Sequence, residues 1–153
     1  MEGTRYPIDR ISFQLGMINC FVEMVACGVK RLALSPPVSP DDYGVIGPLS
    51  EEVTRRFDIH SALEKSLLLT DLQSEEFTRG KWSILYFEDV SALQEYEQLK
   101  IRKQRLEETG AYDAGARREL SRDFMRLLSY PEAKIEERLS RPAGGDPFML
   151  VDD

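Results

Sequence analysis

Apolar residues in segment 8–27 fall on nearly every side of a helical wheel. Ile8, Ile11, Leu15, Ile18, Phe21, Val22, Met24 and Val25 spread over most of the circumference. Pro7 stands where a helix start tolerates it, and Gly28 stands where a C-terminal glycine ends one. The pattern predicts a helix over 8–27, buried on more than one side. One narrow line along it differs. Asp9, Ser12, Gly16, Asn19, Cys20, Glu23, Cys27 and Lys30 lie within about 40° of a common axis at the helical period.

Beyond Gly28 the periodicity changes. Residues 29–35 alternate and then meet Pro36-Pro37, which suits a strand. Residues 36–49 are rich in proline, glycine, serine and aspartate and read as a loop, with Ser50 capping a short helix over 51–57. Residues 62–70 (ALEKSLLLT) fit either a strand or a helix opened by a Ser61–Glu64 capping box; the strand is preferred. Residues 82–87 (WSILYF), aromatic and branched, are the clearest strand. Ser91 to Gln94 forms a capping box for a helix reaching about Thr109. A helix beginning near Asp113 carries the stripe Ala116, Leu120, Phe124, Leu127 and Leu128, and Pro131 opens a last helix to Ser140. Residues 142–147 form a Pro/Gly linker to an apolar arm, Phe148-Met149-Leu150-Val151.

The expected fold class is α/β: one domain over 1–141 with a small three-stranded sheet, flanking helices and a C-terminal helical section. An all-α bundle is the alternative, should 62–70 be helical.

The run Phe124-Met125-Arg126-Leu127-Leu128-Ser129-Tyr130-Pro131-Glu132-Ala133 resembles the G-x-L-L-G-Y-P-x-C-C motif of an uncharacterised prokaryotic family. Ser129 replaces a family glycine, and Ala133-Lys134 replace its two cysteines, so any thiol chemistry at that point is absent. The resemblance implies a prokaryotic origin and a helix–Tyr-Pro–helix corner, and no activity.

Composition narrows the function classes. The chain has 153 residues, 42% hydrophobic and 31% charged, the balance of a folded globular protein. No apolar run has the length of a membrane span. The first ten residues lack a signal-peptide pattern, and two cysteines suit a reducing compartment, so a cytoplasmic location is expected. Net charge is −7, and residues 36–90 hold 11 acids against 5 bases. With an isoelectric point near 4.9, nucleic acid is not an expected partner.

Three constellations carry candidate chemistry. On the first helix, Asn19, Cys20, Glu23, Cys27 and Lys30 could line a ligand pocket. The alternative is a solvent edge or a small-residue seam for close packing; the cysteines, about 10.5 Å apart along the axis, cannot bridge each other. Acids beyond the presumed strand ends (Asp41, Asp42, Asp71, Glu88, Asp89) could hold Mg²⁺ if the strands run parallel; otherwise they cap helices and start turns. The bases Lys100, Arg102, Lys103, Arg105, Arg118, Arg122 and Arg126 could form an anion patch, but acids interleave with them as on a salt-bridged face. His60, the only histidine, has no catalytic motif around it, and no cofactor motif occurs.

The leading functional expectation is a small interaction or self-associating module whose partner is a protein or a second copy. The alternative is a Mg-dependent enzyme or small-ligand-binding protein drawing on Asn19, Glu23, Lys30, Asp71 and Asp89.

Overall fold

A computed structural model describes residues 6–73 and 75–141. Its elements run α1 (Arg10–Ala26), β1 (Leu32–Leu34), α2 (Pro40–Phe57), β2 (His60–Glu64), α3 (Glu75–Thr78), β3 (Ser83–Phe87), α4 (Val90–Glu108), α5 (Ala114–Leu127) and α6 (Glu132–Leu139). The expected three-stranded sheet is present, and β2 removes the all-α alternative.

The strand order is β1-β3-β2, and β3 pairs antiparallel with both neighbours. All five residues of β3 are buried, because helices cover both faces of this central strand. Alternation along it divides the core in two. Ile84 and Tyr86 join Ile18, Val22 and Val25 of α1 and Ile46 of α2. Leu85 and Phe87 join Tyr96 of α4, Leu120 and Phe124 of α5 and Ile135 of α6. The protein is thus a sheet between two helical layers, α1/α2 on one side and α4/α5/α6 on the other.

Two expectations about the first half are corrected. Residues 36–49 are not all loop, for α2 begins at Pro40. Ser39 caps it by accepting from Asp42 N–H (3.1 Å), proline occupies the first turn, and Asp41 and Asp42 face the helix dipole favourably. Ser50 is therefore no cap. It is buried mid-helix and shares a 2.6 Å hydrogen bond with the Tyr86 hydroxyl. Gly47 has a packing reason: a Cβ there would come within 2.9 Å of the Tyr43 ring, which sits edge-on to Trp82. β1 is also shorter than expected, since Val29 and Lys30 N–H groups still bond back to Met24 O in the turn that closes α1.

The expected strand over 62–70 is corrected too. Pairing starts at His60 and stops at Glu64. Side chains then take over the hydrogen bonds of the following backbone. Leu68 N–H donates to the Tyr96 hydroxyl (3.0 Å), Leu69 O accepts from Lys103 (3.0 Å), Thr70 O accepts from Arg117 (3.2 Å), and Asp71 N–H donates to Ser121 Oγ (2.9 Å). A segment with no strand beside it still needs its polar groups satisfied, and α4 and α5 satisfy them. Glu64 anchors the start, accepting from Ser66 N–H, the Tyr96 hydroxyl and Lys100. The short α3 follows, between this segment and β3.

At the α5–α6 junction the corner implied by Tyr130-Pro131 is present. Ser129 N–H bonds to Arg126 O and Tyr130 N–H to Met125 O, the paired contacts of a Schellman ending. This places Ser129 at φ 68°, a conformation that glycine adopts more readily. Its hydroxyl accepts from Arg31 N–H (2.9 Å), tying the corner to the start of β1.

Candidate functional site

The five predicted site residues do not converge. Asn19 and Glu23 are exposed on α1. Lys30 reaches across to the corner, donating to Leu128 O at 2.6 Å with its ammonium 5.5 Å from the Tyr130 ring centre. Burial holds its pKa below the ordinary lysine value. Lys30 thus works as a clamp between α1 and the end of α5, whose free carbonyls favour a cation.

Asp71 and Asp89 are parted by the antiparallel sheet. Asp89 follows the end of β3, beside the starts of β1 and β2, whereas Asp71 lies beyond the opposite end of β2. The parallel arrangement that a shared cation would need is absent. Asp89 caps α4 by accepting from Ser91 N–H (2.8 Å), and this backbone hydrogen bond holds its pKa low. The helix therefore starts at Val90 and is not opened by the Ser91 capping box. Asp71 pairs with Arg117 (2.8 Å). Among the described residues no group of three or more His, Cys, Asp or Glu could hold a metal ion.

Two clefts open on the α4–α6 side. One of about 580 Å³ is bordered by Asp71, Tyr112, Asp113, Arg117, Arg118 and Arg141. The other, about 610 Å³, is bordered by Arg31, Gln94, Glu95, Gln98, Asp123 and Arg126. Most of their charges are already neutralised locally: Arg117 by Asp71, Arg141 by Glu137, Arg31 by Glu95, and Arg126 by Asp123 and Glu132. Arg102 pairs with Asp123, and Arg122 with Glu119 and Glu136. The basic run of the sequence is thus a salt-bridged face. His60 sits exposed at the start of β2, its ring 5.8 Å from that of Phe87.

The outer face of α1 is different. Between Arg10 and Ala26 only Arg10 and Glu23 carry charge. Ile18, Val22 and Val25 are buried against the sheet and α2. The opposite side, by helical spacing, carries Phe13, Gly16, Met17, Cys20, Glu23, Met24 and Cys27. Gly16, Cys20, Met24 and Cys27 are exposed, Met24 to 40%, and Phe13 and Met17 are half-buried. α1 is therefore buried or half-buried round most of its circumference, and the narrow line it leaves open carries Ser12, Gly16, Asn19, Cys20, Glu23 and Cys27, with Met24 beside them. Gly16 is the further clue. A mid-helix glycine costs roughly 0.5–1 kcal/mol relative to alanine, yet a Cβ built there would meet nothing within 4 Å. The chain's own packing does not require it, and its effect is a dent in that line. Both cysteines are free thiols on this side.

No family model, curated protein or solved structure matches the chain. Among the described residues no helix is long and apolar enough to cross a membrane.

Proposed function

We propose that this is a small interaction module, acting in the cytoplasm, whose binding surface is the outer face of α1. A single observation carries the reading: the side of α1 that its own chain leaves open shows Met24, Gly16 and two free thiols, with Glu23 the one charge between Ile11 and Ala26. A sparsely charged helix face of this kind suits an interface. The interleaved ion pairs of α4, α5 and α6 are the expected dress of a surface that stays in water.

The test is native mass spectrometry on full-length protein purified from its expressing cells, with Met24→Lys in parallel. The wild type should carry a discrete assembly, whether two copies or the chain with another polypeptide. Met24→Lys should run as a bare monomer while its melting temperature stays within about 2 °C, since an exposed side chain away from the core contributes little to folding. A wild type that is itself a bare monomer, or a variant that keeps the assembly, would remove the proposal.

A further inference from the structure

We infer that residues 65–73, which follow β2, are a detachable lid: they open as a unit from α4 and α5 while the sheet and the helices stay folded. The inference is independent of the reading of α1 above.

The way the segment is held supports it. Among the described residues, no backbone–backbone hydrogen bond joins 65–73 to another part of the chain. The bonds that hold it end on side chains. Ser66 N–H donates to Glu64, Leu68 N–H to the Tyr96 hydroxyl and Asp71 N–H to Ser121 Oγ, while Leu69 O accepts from Lys103 and Thr70 O from Arg117. The lid can therefore leave without breaking a strand ladder or a helical turn. The strands of the sheet cannot part without losing theirs.

The helices under the lid are prepared for its departure. The Tyr96 hydroxyl keeps Glu64 as its acceptor (2.8 Å), and Glu64 keeps Lys100 (2.8 Å). The Ser121 hydroxyl keeps Arg117 O (2.8 Å). Lys103 and Arg117, with side chains 21% and 48% exposed, turn to water. Opening thus leaves neither buried hydroxyl stranded, which is the usual penalty for undoing a buried hydrogen bond. The closed lid carries a penalty of its own: Gln73 Oε1 is buried with no hydrogen-bond partner among the described residues, and opening returns it to water. What holds the lid shut is Leu68 and Leu72, 3% and 8% exposed, in the cluster with Tyr96, Leu120 and Phe124. Opening withdraws these two side chains from the core, whereas global unfolding dismantles both clusters.

The experiment is native-state hydrogen exchange of the full-length protein, read amide by amide by NMR in low concentrations of urea. The Leu68 and Asp71 amides should be protected, yet exchange about a hundredfold or more faster than the amides of β3. Their rates should stay nearly flat in urea, because little surface opens, while the β3 rates rise steeply. Ile18→Ala, in the other cluster, should speed β3 exchange by about thirtyfold or more and change Leu68 and Asp71 by less than about twofold, because an opened lid leaves that cluster intact. Lys103 bonds neither amide, so Lys103→Met should speed both alike, by about fivefold, only if they open together.

Protection at Leu68 and Asp71 equal to that of β3, or equal acceleration of these amides and of β3 by Ile18→Ala, would mean that the segment opens only with the whole fold. Absence of protection would mean that it is not docked. A response of one amide without the other to Lys103→Met would mean that it frays piecewise. Each of these results overturns the lid. Should Ile18→Ala fail to fold, the urea dependence of the wild type decides.

Discussion

The layer of α4, α5 and α6 and the layer of α1 and α2 bury the same kind of residue against the sheet, yet they turn different surfaces outward. The α4–α6 layer is laced with ion pairs at helical spacing and across its helices, including Arg102–Asp123, Arg126–Glu132 and Arg122–Glu136. The other layer has two such pairs among the described residues, Arg10–Asp42 and Arg56–Glu52, and neither crosses the open line of α1. Inner faces answer to the sheet. Outer faces answer to what lies outside, so a difference confined to the outer faces reports on surroundings and not on folding.

If so, the largest effects should come from the inner faces and be alike in both layers. Phe124→Ala should cost about 3–5 kcal/mol and Ile18→Ala about 2–5 kcal/mol by denaturant unfolding, since both side chains are fully buried. A loss near zero for Ile18 would show that the α1 layer is loosely attached and would break the comparison.

A smaller effect should come from a buried polar contact between α2 and the sheet, Ser50 with Tyr86. Burial pushes the Tyr86 phenol well above its ordinary pKa, so it stays neutral and needs a partner. Ser50→Ala strands that hydroxyl and should cost about 1–3 kcal/mol. Adding Tyr86→Phe should recover part of the loss in a double-mutant cycle; strict additivity would mean that the hydrogen bond contributes nothing.

The smallest effect separates the layers by pH. Hydrogen bonds from Arg126 to Glu132, Arg122 to Glu136 and Lys134 to Glu137 hold the pKa values of these carboxyls below the ordinary glutamate value of 4.5. Depressed carboxylates stabilise the fold in full above that value, and the contribution is lost as pH falls through their folded pKa values. Hydrogen-exchange protection in α6 should therefore drop as the pH is lowered below about 4.5, with α2 much less affected. An equal drop in both helices would show that the ion pairs do not distinguish the layers.

Elements that announced themselves locally were legible in the sequence: α1 between Pro7 and Gly28, β3 in its aromatic and branched run, and α5 in its apolar stripe. α2 was misread because Gly44, Gly47 and Pro48 carry turn chemistry. The opposing signal, Ser39-Pro40-Asp41-Asp42, is a good helix start and could have prevailed. The segment after β2 could not be read locally at all. Its hydrogen-bond partners are Tyr96, Lys103, Arg117 and Ser121, some thirty to fifty residues away. Of the candidate site, the unusual stripe on α1 was visible, together with the small-residue seam of Gly16, Cys20 and Cys27. Which side of the helix the chain itself covers was not, because that depends on where the sheet and α2 lie.

The strand order has a consequence for how the protein is made. The central strand is the last of the three in the chain, and both edge strands hydrogen-bond only to it. A nascent chain that has emerged as far as residue 80 holds β1 and β2 with nothing between them, and α1 has no sheet to lie on. The sheet closes in one step when residues 83–87 arrive, β2 pairing at short range and β1 across some fifty residues. Until then the inner side of α1, with Ile18, Val22 and Val25, has no sheet to cover it, and this is the stage at which the chain is most exposed to aggregation.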